Sequence, residues 1–310
     1  MQAWVTGARG FIGRHLAAEL ARRGHRVHGI GHGAWLPDER SAWGIAGWIN
    51  SAVTAAGLDA LAAAVGAPSI VFHLAGGSSV GASLGAPRED FSRTVEASAE
   101  LAEWVRTRVP QAGVVAVSSA AVYGDSWYEP IPIGAPLRPV SPYGAHKAAM
   151  ECLLAGHARS FGLSVAIVRL FSVYGPGLEK QLVWDLCCRL ARGERKLRLG
   201  GCGDEQRDFI FVTDAVHALA AAAEQASPVP AVFNGGTGRP MTVRELSETL
   251  VRLWPAEVEL CFDGRLRAGD PMSLVADVHE SSPVLPTRFV PLEFGLLRTI
   301  EAAKRRLLVG

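Results

Sequence analysis

The strand-like segment Ala3-Trp4-Val5-Thr6 runs straight into Gly7-Ala8-Arg9-Gly10-Phe11-Ile12-Gly13, and then into an amphipathic stretch with Leu16 and Leu20 on one face. No other feature of the 310 residues restricts the fold as strongly. Gly7 permits a tight turn, Gly10 lets the backbone approach a pyrophosphate, and Gly13 lets the helix pack close to the strand. The opening amides and the positive end of that helix then face phosphate oxygens. Strand, glycine turn and helix together read as a dinucleotide site. Gly7, Arg9, Gly10, Phe11, Ile12 and Gly13 are its expected cofactor contacts.

The pattern continues downstream. Strands are expected at Arg26–Ile30, Ser69–Leu74, Val114–Ser118 and Val165–Leu170. Helices are expected over Leu58–Val65, from about Pro87 to Arg108, and over Pro142–Phe161. Buried apolar strands separated by helices imply a parallel sheet covered on both faces. The expected fold class is therefore α/β, a doubly wound parallel sheet of the Rossmann type. From about Gly175 the pattern changes, with Pro176, Gly177, Gly193, Gly200, Gly201 and Gly203 interrupting it. The sheet pattern returns at Phe209–Val212, the helix Asp214–Gln225 and the strand Ala231–Asn234. Thr242 and Glu245 have the spacing of a capping box, and Leu260 to Leu285 looks irregular. The expected division is a dinucleotide-binding domain of residues 1–174 plus parts of 209–240. Residues 175–208 and 241–310 form a smaller, discontinuous C-terminal lobe for the substrate.

Composition excludes some partners. A formal net charge of +1 asks for neither nucleic acid nor an anionic membrane surface. The start of the chain lacks a cationic lead and a long apolar region, and no apolar run approaches the ~20 residues that span a bilayer. The five cysteines show no CxxC and no metal-ligand spacing, which suits reduced thiols in a cytoplasmic protein. No metal is expected.

Dinucleotide folds usually end the second strand with a carboxylate that accepts hydrogen bonds from the adenosine ribose. Here Arg26-Val27-His28-Gly29-Ile30 is followed by Gly31 and His32. Glycine leaves room for a 2′-phosphate, and Arg9, with help from His32, supplies compensating charge. NADP is therefore expected ahead of NAD.

Ser141-Pro142-Tyr143-Gly144-Ala145-His146-Lys147 has the grammar of a helix start, with a serine cap and proline in the first turn. Tyr143 and Lys147, four apart, share a face. An ammonium beside a phenol favours the phenolate, so the spacing predicts a usable acid/base in Tyr143. Ser119 ends a strand at the carboxyl edge of the sheet, where ligands bind in such folds. It is the expected partner for a substrate oxygen. His146 points off Tyr143's face and is expected to pack.

These segments together resemble the extended short-chain dehydrogenase/reductase family, in particular its sugar-nucleotide epimerases, dehydratases and reductases. The resemblance covers nearly the whole chain. Thr6–Gly13 matches TGxxGxxG, and His73-Leu74-Ala75-Gly76 is similar to the segment that packs on the cofactor. Ser118–Gly124 resembles SSxxVYG, Ser141–Lys147 SPYGxSK with Glu151 at the usual acidic position, and Arg169–Pro176 RxFNxYGP. Gln206–Val212 resembles the RDFIxV segment, and Arg267–Asp270 the late RxGD. The resemblance implies Ser119, Tyr143 and Lys147 as catalytic residues. It implies Leu74, Ala75, Gly76, Tyr143, Lys147 and Phe171 as cofactor contacts, a set completed by His32 and Asn50. It implies Arg207 and Arg267 on a nucleotide diphosphate, with Ser78, Ser79, Ser119, Ser172, Gln181 and Asp270 also on the substrate. A homodimer is likewise implied. The chain departs from the pattern at Thr94, Ser172 and His146.

Three readings remain, two of them reactions. Dehydratases of the family carry an acidic pair where this chain has Ala120 and Ala121, and alanine does no acid–base work. Reduction of a 4-keto sugar nucleotide, with Tyr143 as proton donor, fits the missing ribose carboxylate and is the leading expectation. A 4-epimerase resembling UDP-glucose 4-epimerases uses the same trio and is the alternative. A non-catalytic NADP-binding protein is the third.

Overall fold

The computed structural model describes residues 1–265 and 271–308. Six strands open the chain: β1 (Gln2–Thr6), β2 (Arg26–Gly31), β3 (Ile45–Asn50), β4 (Ile70–His73), β5 (Gly113–Ser119) and β6 (Val165–Leu170). After them come β7 (Ser172–Tyr174), β8 (Lys196–Leu199), β9 (Gln206–Phe211), β10 (Ala231–Gly235), β11 (Pro240–Thr242), β12 (Glu259–Phe262) and β13 (Ser273–Leu274). Seven of these form one sheet in the order β10-β6-β5-β4-β1-β2-β3, with every neighbouring pair parallel. This is the doubly wound α/β sheet expected from the sequence.

Side-chain alternation explains the two covering layers. Ala3 and Val5 of β1, with Phe72, Val115 and Val168, face a core shared with Leu16, Leu20, Val216 and Leu219. Those residues come from the helices Phe11–Arg22 and Val212–Ala222. Trp4, Val71, Val114, Ala116 and Ile167 point the other way. They pack on Leu58, Leu61, Leu101, Val105, Met150 and Leu154 of the helices Ala55–Val65, Ala97–Arg108 and Pro142–Phe161. The strand order reverses between β1 and β4, and the crevice outside the carboxyl ends at such a point is where ligands bind.

Two smaller sheets lie among the later residues: β11-β9-β13 with β7 on β9, and β12 beside β8. The region expected to be irregular thus contains two short strands, β12 and β13. The capping box at Thr242 and Glu245 is present in full. The structure differs from expectation in other places as well, two of which bear on the site. β3 was not foreseen, because Gly47 and Asn50 break its apolar run. The helix expected over 87–108 is instead a helix Pro87–Phe91, a π turn Ser92–Glu96 and a helix Ala97–Arg108. The Ser98 hydroxyl donates to the Thr94 carbonyl at 2.5 Å across that π turn, and a side chain reaching back one turn perturbs a helix in this way.

Candidate active site

The glycine turn is held by sterics. Gly7 has φ 69°, a backbone that L side chains rarely adopt, and a Cβ there would meet the Ala75 nitrogen at 3.1 Å. A Cβ on Gly13 would lie 2.3 Å from the Gly7 carbonyl oxygen. The Thr6 hydroxyl accepts from the Leu74 and Ala75 amides at 3.1 and 3.0 Å. Its own proton goes to His73 Nδ1 at 2.9 Å, so His73 carries its hydrogen on Nε2 and donates to Ser98 Oγ at 3.0 Å. Burial, with the charge of Lys147 as the smaller cause, drives the His73 pKa down to about 3. The neutral imidazole therefore ties β1, the loop after β4 and the helix Ala97–Arg108 together.

At the end of β2, Gly31 is buried with the Trp48 ring close behind it; a Cβ there would meet Trp48 at 3.0 Å. Asn50, closing β3, accepts from the Gly33 amide at 2.8 Å. The Arg9 guanidinium lies over Gly33, whose Cβ would fall 2.2 Å from Arg9 Nη1. His32 is exposed between them. The adenosine end thus pairs a carboxylate-free strand end with an arginine.

Ser119 closes β5, and Tyr143 and Lys147 lie on the first turns of the helix capped by Ser141, whose hydroxyl accepts from the Gly144 amide. Ser119 and Tyr143 line the same cleft, and the Ser119 hydroxyl acts on the Tyr143 phenol by lowering its pKa. Lys147 is buried and donates to the Val117 carbonyl at 2.8 Å. Burial lowers its pKa to about 8, although the carboxylates of Asp90 and Glu151 pull the other way. The phenol does not behave as the spacing predicted. Burial raises the Tyr143 pKa, the Ser119 hydrogen bond lowers it less, and Asp90 raises it further. The ammonium is bonded to a backbone carbonyl, and the charge that acts on the phenol is the Asp90 carboxylate.

That carboxylate is a residue sequence reasoning missed. Asp90 is 5% exposed and bonds His146 Nδ1 at 2.6 Å. His146 is therefore a hydrogen-bonded anchor, besides stacking edge-on with Phe91; its packing role was only part of the picture. Thr94, the departure from the family's asparagine, accepts from the Gly77 amide at 2.8 Å and so shapes the same loop. Asp90 sits three residues after Pro87 at a helix start, but nothing in that spacing signals a histidine 56 positions later.

One cleft of about 2240 Å³ runs along the carboxyl edge. It is lined by Gly7, Arg9, Gly10, Phe11, Ile12, Gly13, His32, Leu74, Ala75, Gly76, Ser119, Tyr143, Lys147 and Phe171. Ser78, Ser79, Ser172, Gln181 and Arg207 line it as well. Asn50 acts from behind, through Gly33. The Ser79 hydroxyl caps the short helix Val80–Gly85. Arg267 and Asp270 lie outside the described residues. Ser118, beside Ser119, presents a buried hydroxyl with no partner among the described residues at the cleft wall. The cradled amides of the Gly7–Gly13 turn, the glycines a Cβ would block and this orphaned hydroxyl all fit a dinucleotide. Among the described residues no cluster of His, Cys, Asp or Glu could hold a metal ion, and no helix is long and apolar enough to cross a membrane.

The family model described as "NAD dependent epimerase/dehydratase family" matches residues 3–236. The UDP-glucose 4-epimerase of Mycolicibacterium smegmatis is 32% identical over 260 residues, covering 79% of this chain and 80% of that protein. Among solved structures, MoeE5 in complex with UDP-glucuronic acid and NAD superposes with a TM-score of 0.86 at 32% identity, over 99% of this chain and 100% of that one. TunA, an NAD-dependent NDP-hexosamine 5,6-dehydratase of tunicamycin biosynthesis, superposes with a TM-score of 0.85 at 29% identity, over 100% of this chain and 99% of that one. With its parallel sheet, its glycine turn and its Ser–Tyr–Lys cluster, the chain belongs to the NAD-dependent epimerase/dehydratase family, a family of sugar-nucleotide enzymes.

Proposed function

We propose that this enzyme interconverts the C4 epimers of a nucleoside-diphosphate sugar while keeping a bound dinucleotide, NAD. The observation that carries the reading is that Ser119, Tyr143 and buried Lys147 line one cleft, in which the two positions after Ser119 are Ala120 and Ala121. Such a site moves a proton at a sugar oxygen but has no acid–base pair there to expel a hydroxyl. When bound, the dinucleotide supplies a two-electron acceptor and donor. The Gly7–Gly13 turn holds its phosphates, and Lys147 faces its ribose. Ser119 orients the sugar C4 oxygen, and Tyr143 takes and returns that oxygen's proton. Arg207, and Arg267 from outside the described residues, receive the diphosphate, so residues 175–208 and 241–310 act as the substrate lobe. The epimerase and MoeE5 likenesses support this reading over a 4-keto reductase.

A second reading keeps one specific observation. Gly31 without a carboxylate, and Arg9 laid over Gly33, suit a 2′-phosphate and hence NADPH-dependent reduction of a 4-keto sugar. One experiment separates the two. Purified enzyme is given UDP-glucose or UDP-glucuronic acid without added cofactor, and the products and retained dinucleotide are identified. The epimerase reading expects the C4 epimer, retained NAD and no accumulating reduced cofactor. Tyr143→Phe is expected to lower kcat by about 10²–10⁴-fold with little change in KM. Unchanged turnover in that variant would falsify the mechanism. Turnover of a 4-keto sugar only with added NADPH would replace the first reading by the second.

A further inference from the structure

Lys180 is the last residue before the helix Gln181–Ala191. It follows Glu179, which turns away to Arg306 at 3.4 Å, and precedes Gln181, whose φ of 66° is the one positive value at a non-glycine residue among those described. A backbone held in that sparsely populated region marks a place where the chain is forced into a particular course. The Lys180 side chain lines the cleft, where Nζ donates to the Ser78 carbonyl at 2.8 Å. Burial lowers the Lys180 pKa, and no carboxylate offsets that burial. Several carboxylates around the cleft are engaged elsewhere: Glu89 with Arg93, Glu96 with Arg88, and Glu205 with the Cys202 and Gly203 amides. An ammonium has three donors, and a neutral carbonyl uses one.

The position of this charge along the cleft identifies what it meets. A Cβ on Gly76 would lie 3.2 Å from Lys147 Nζ, so the loop after β4 passes directly by the catalytic lysine. Ser78 is two residues further, roughly 7 Å of extended chain at most. Lys180 therefore lines the same cleft as Lys147, a short stretch of chain away and within the span of a bound sugar. The C6 substituent of a hexose is two bonds from C4 and reaches that distance. A neutral hydroxymethyl group offers an ammonium little there, whereas a carboxylate offers a charge-assisted hydrogen bond.

We infer that Lys180 is a specificity residue that takes the C6 carboxylate of the sugar, making the substrate class a nucleoside-diphosphate hexuronic acid. The inference rests on the nucleotide-sugar reading above and names its sugar. MoeE5 is itself seen with both UDP-glucuronic acid and UDP-glucose, so the preference of this chain is carried by Lys180 and not by that likeness.

The test is calorimetric binding of UDP-glucuronic acid and UDP-glucose to the NAD-loaded protein, with Lys180→Met and Lys180→Arg beside the wild type. The wild type is expected to bind the uronic acid nucleotide about tenfold or more tightly. Lys180→Met is expected to bring the ratio of the two dissociation constants near one, and Lys180→Arg to preserve most of the preference. Retained NAD in each variant shows that the fold survives. An unchanged ratio in Lys180→Met overturns the inference, including the case where both ligands weaken equally, which assigns the lysine to the diphosphate. A wild type that favours UDP-glucose overturns it too, while leaving the epimerase reading standing. Failure of the wild type to bind either nucleotide removes that reading, and this inference with it.

Discussion

His73 is wholly buried, and its three-membered hydrogen-bond chain needs the neutral ring. Its pKa falls from the usual 6.5 to about 3 on folding. Below pH 6.5 the unfolded chain therefore binds a proton that the folded one refuses, and stability declines as pH drops toward 3. Between pH 7 and pH 5 this one group is expected to cost about 2 kcal/mol. Denaturant unfolding of the wild type and His73→Gln at both pH values measures it: the variant's decline should be smaller by that amount. Equal declines would refute the assignment. At this scale the sequence was partly legible. Ser119, Tyr143 and Lys147 line one cleft, because a strand end and a capped helix fix their backbone positions. The phenol's pKa was not legible. It depends on which partner the lysine chooses and on Asp90, and both are settled by tertiary contacts between distant segments.

Among the elements, the loop after β4 is the one that packing constrains most closely. A Cβ on Gly77 would fall 1.7 Å from Asp90 Oδ1, inside the carboxylate that holds His146. Gly81, in the helix just beyond, has nothing within 4 Å of its Cβ position. Gly77→Ala should therefore destabilise by about 1–3 kcal/mol through displaced packing. Gly81→Ala should stabilise by roughly 0.5–1 kcal/mol, since alanine suits a helix interior better. Thermal melts of the two variants check the pair, and shifts of the same sign would defeat the account. The first glycine turn could be read directly because its strand, turn and helix are contiguous. The π turn Ser92–Glu96 and β3 could not. One arises from a serine bonding back to a carbonyl, and the other from strand pairing that its glycine-broken sequence does not advertise.

Across the whole molecule, a buried ionic network joins the helix Pro142–Phe161 to the sheet and to the chain's later segments. Arg169 of β6 grips Glu151 through two nitrogens, at 3.0 and 2.7 Å, one turn after Lys147. Its Nη1 donates to the Tyr123 hydroxyl at 2.8 Å and to the Ile133 carbonyl at 2.9 Å. Tyr123 passes its proton to Asn234 of β10 at 2.6 Å, and the Asn234 amide bonds the Ile131 and Asp277 carbonyls. Glu151 and Arg169 are 5% and 6% exposed, so each charge depends on the other for its solvation. Removing one partner of such a pair strands a charge and is expected to cost about 3–5 kcal/mol, whereas replacing both with apolar residues of similar size costs far less. The motifs placed an acid at 151 and an arginine at 169 without revealing that they are each other's partner, since 18 residues and a strand separate them. Glu151→Leu should therefore unfold at markedly lower denaturant than the wild type, and Glu151→Leu with Arg169→Met should recover part of the loss. Because Glu151 also raises the Lys147 pKa, the double variant should bind NAD yet shift the acid–base profile of turnover toward lower pH. A double variant no more stable than Glu151→Leu alone would mean that the network's neutral hydrogen bonds, not its charges, hold this helix to the sheet.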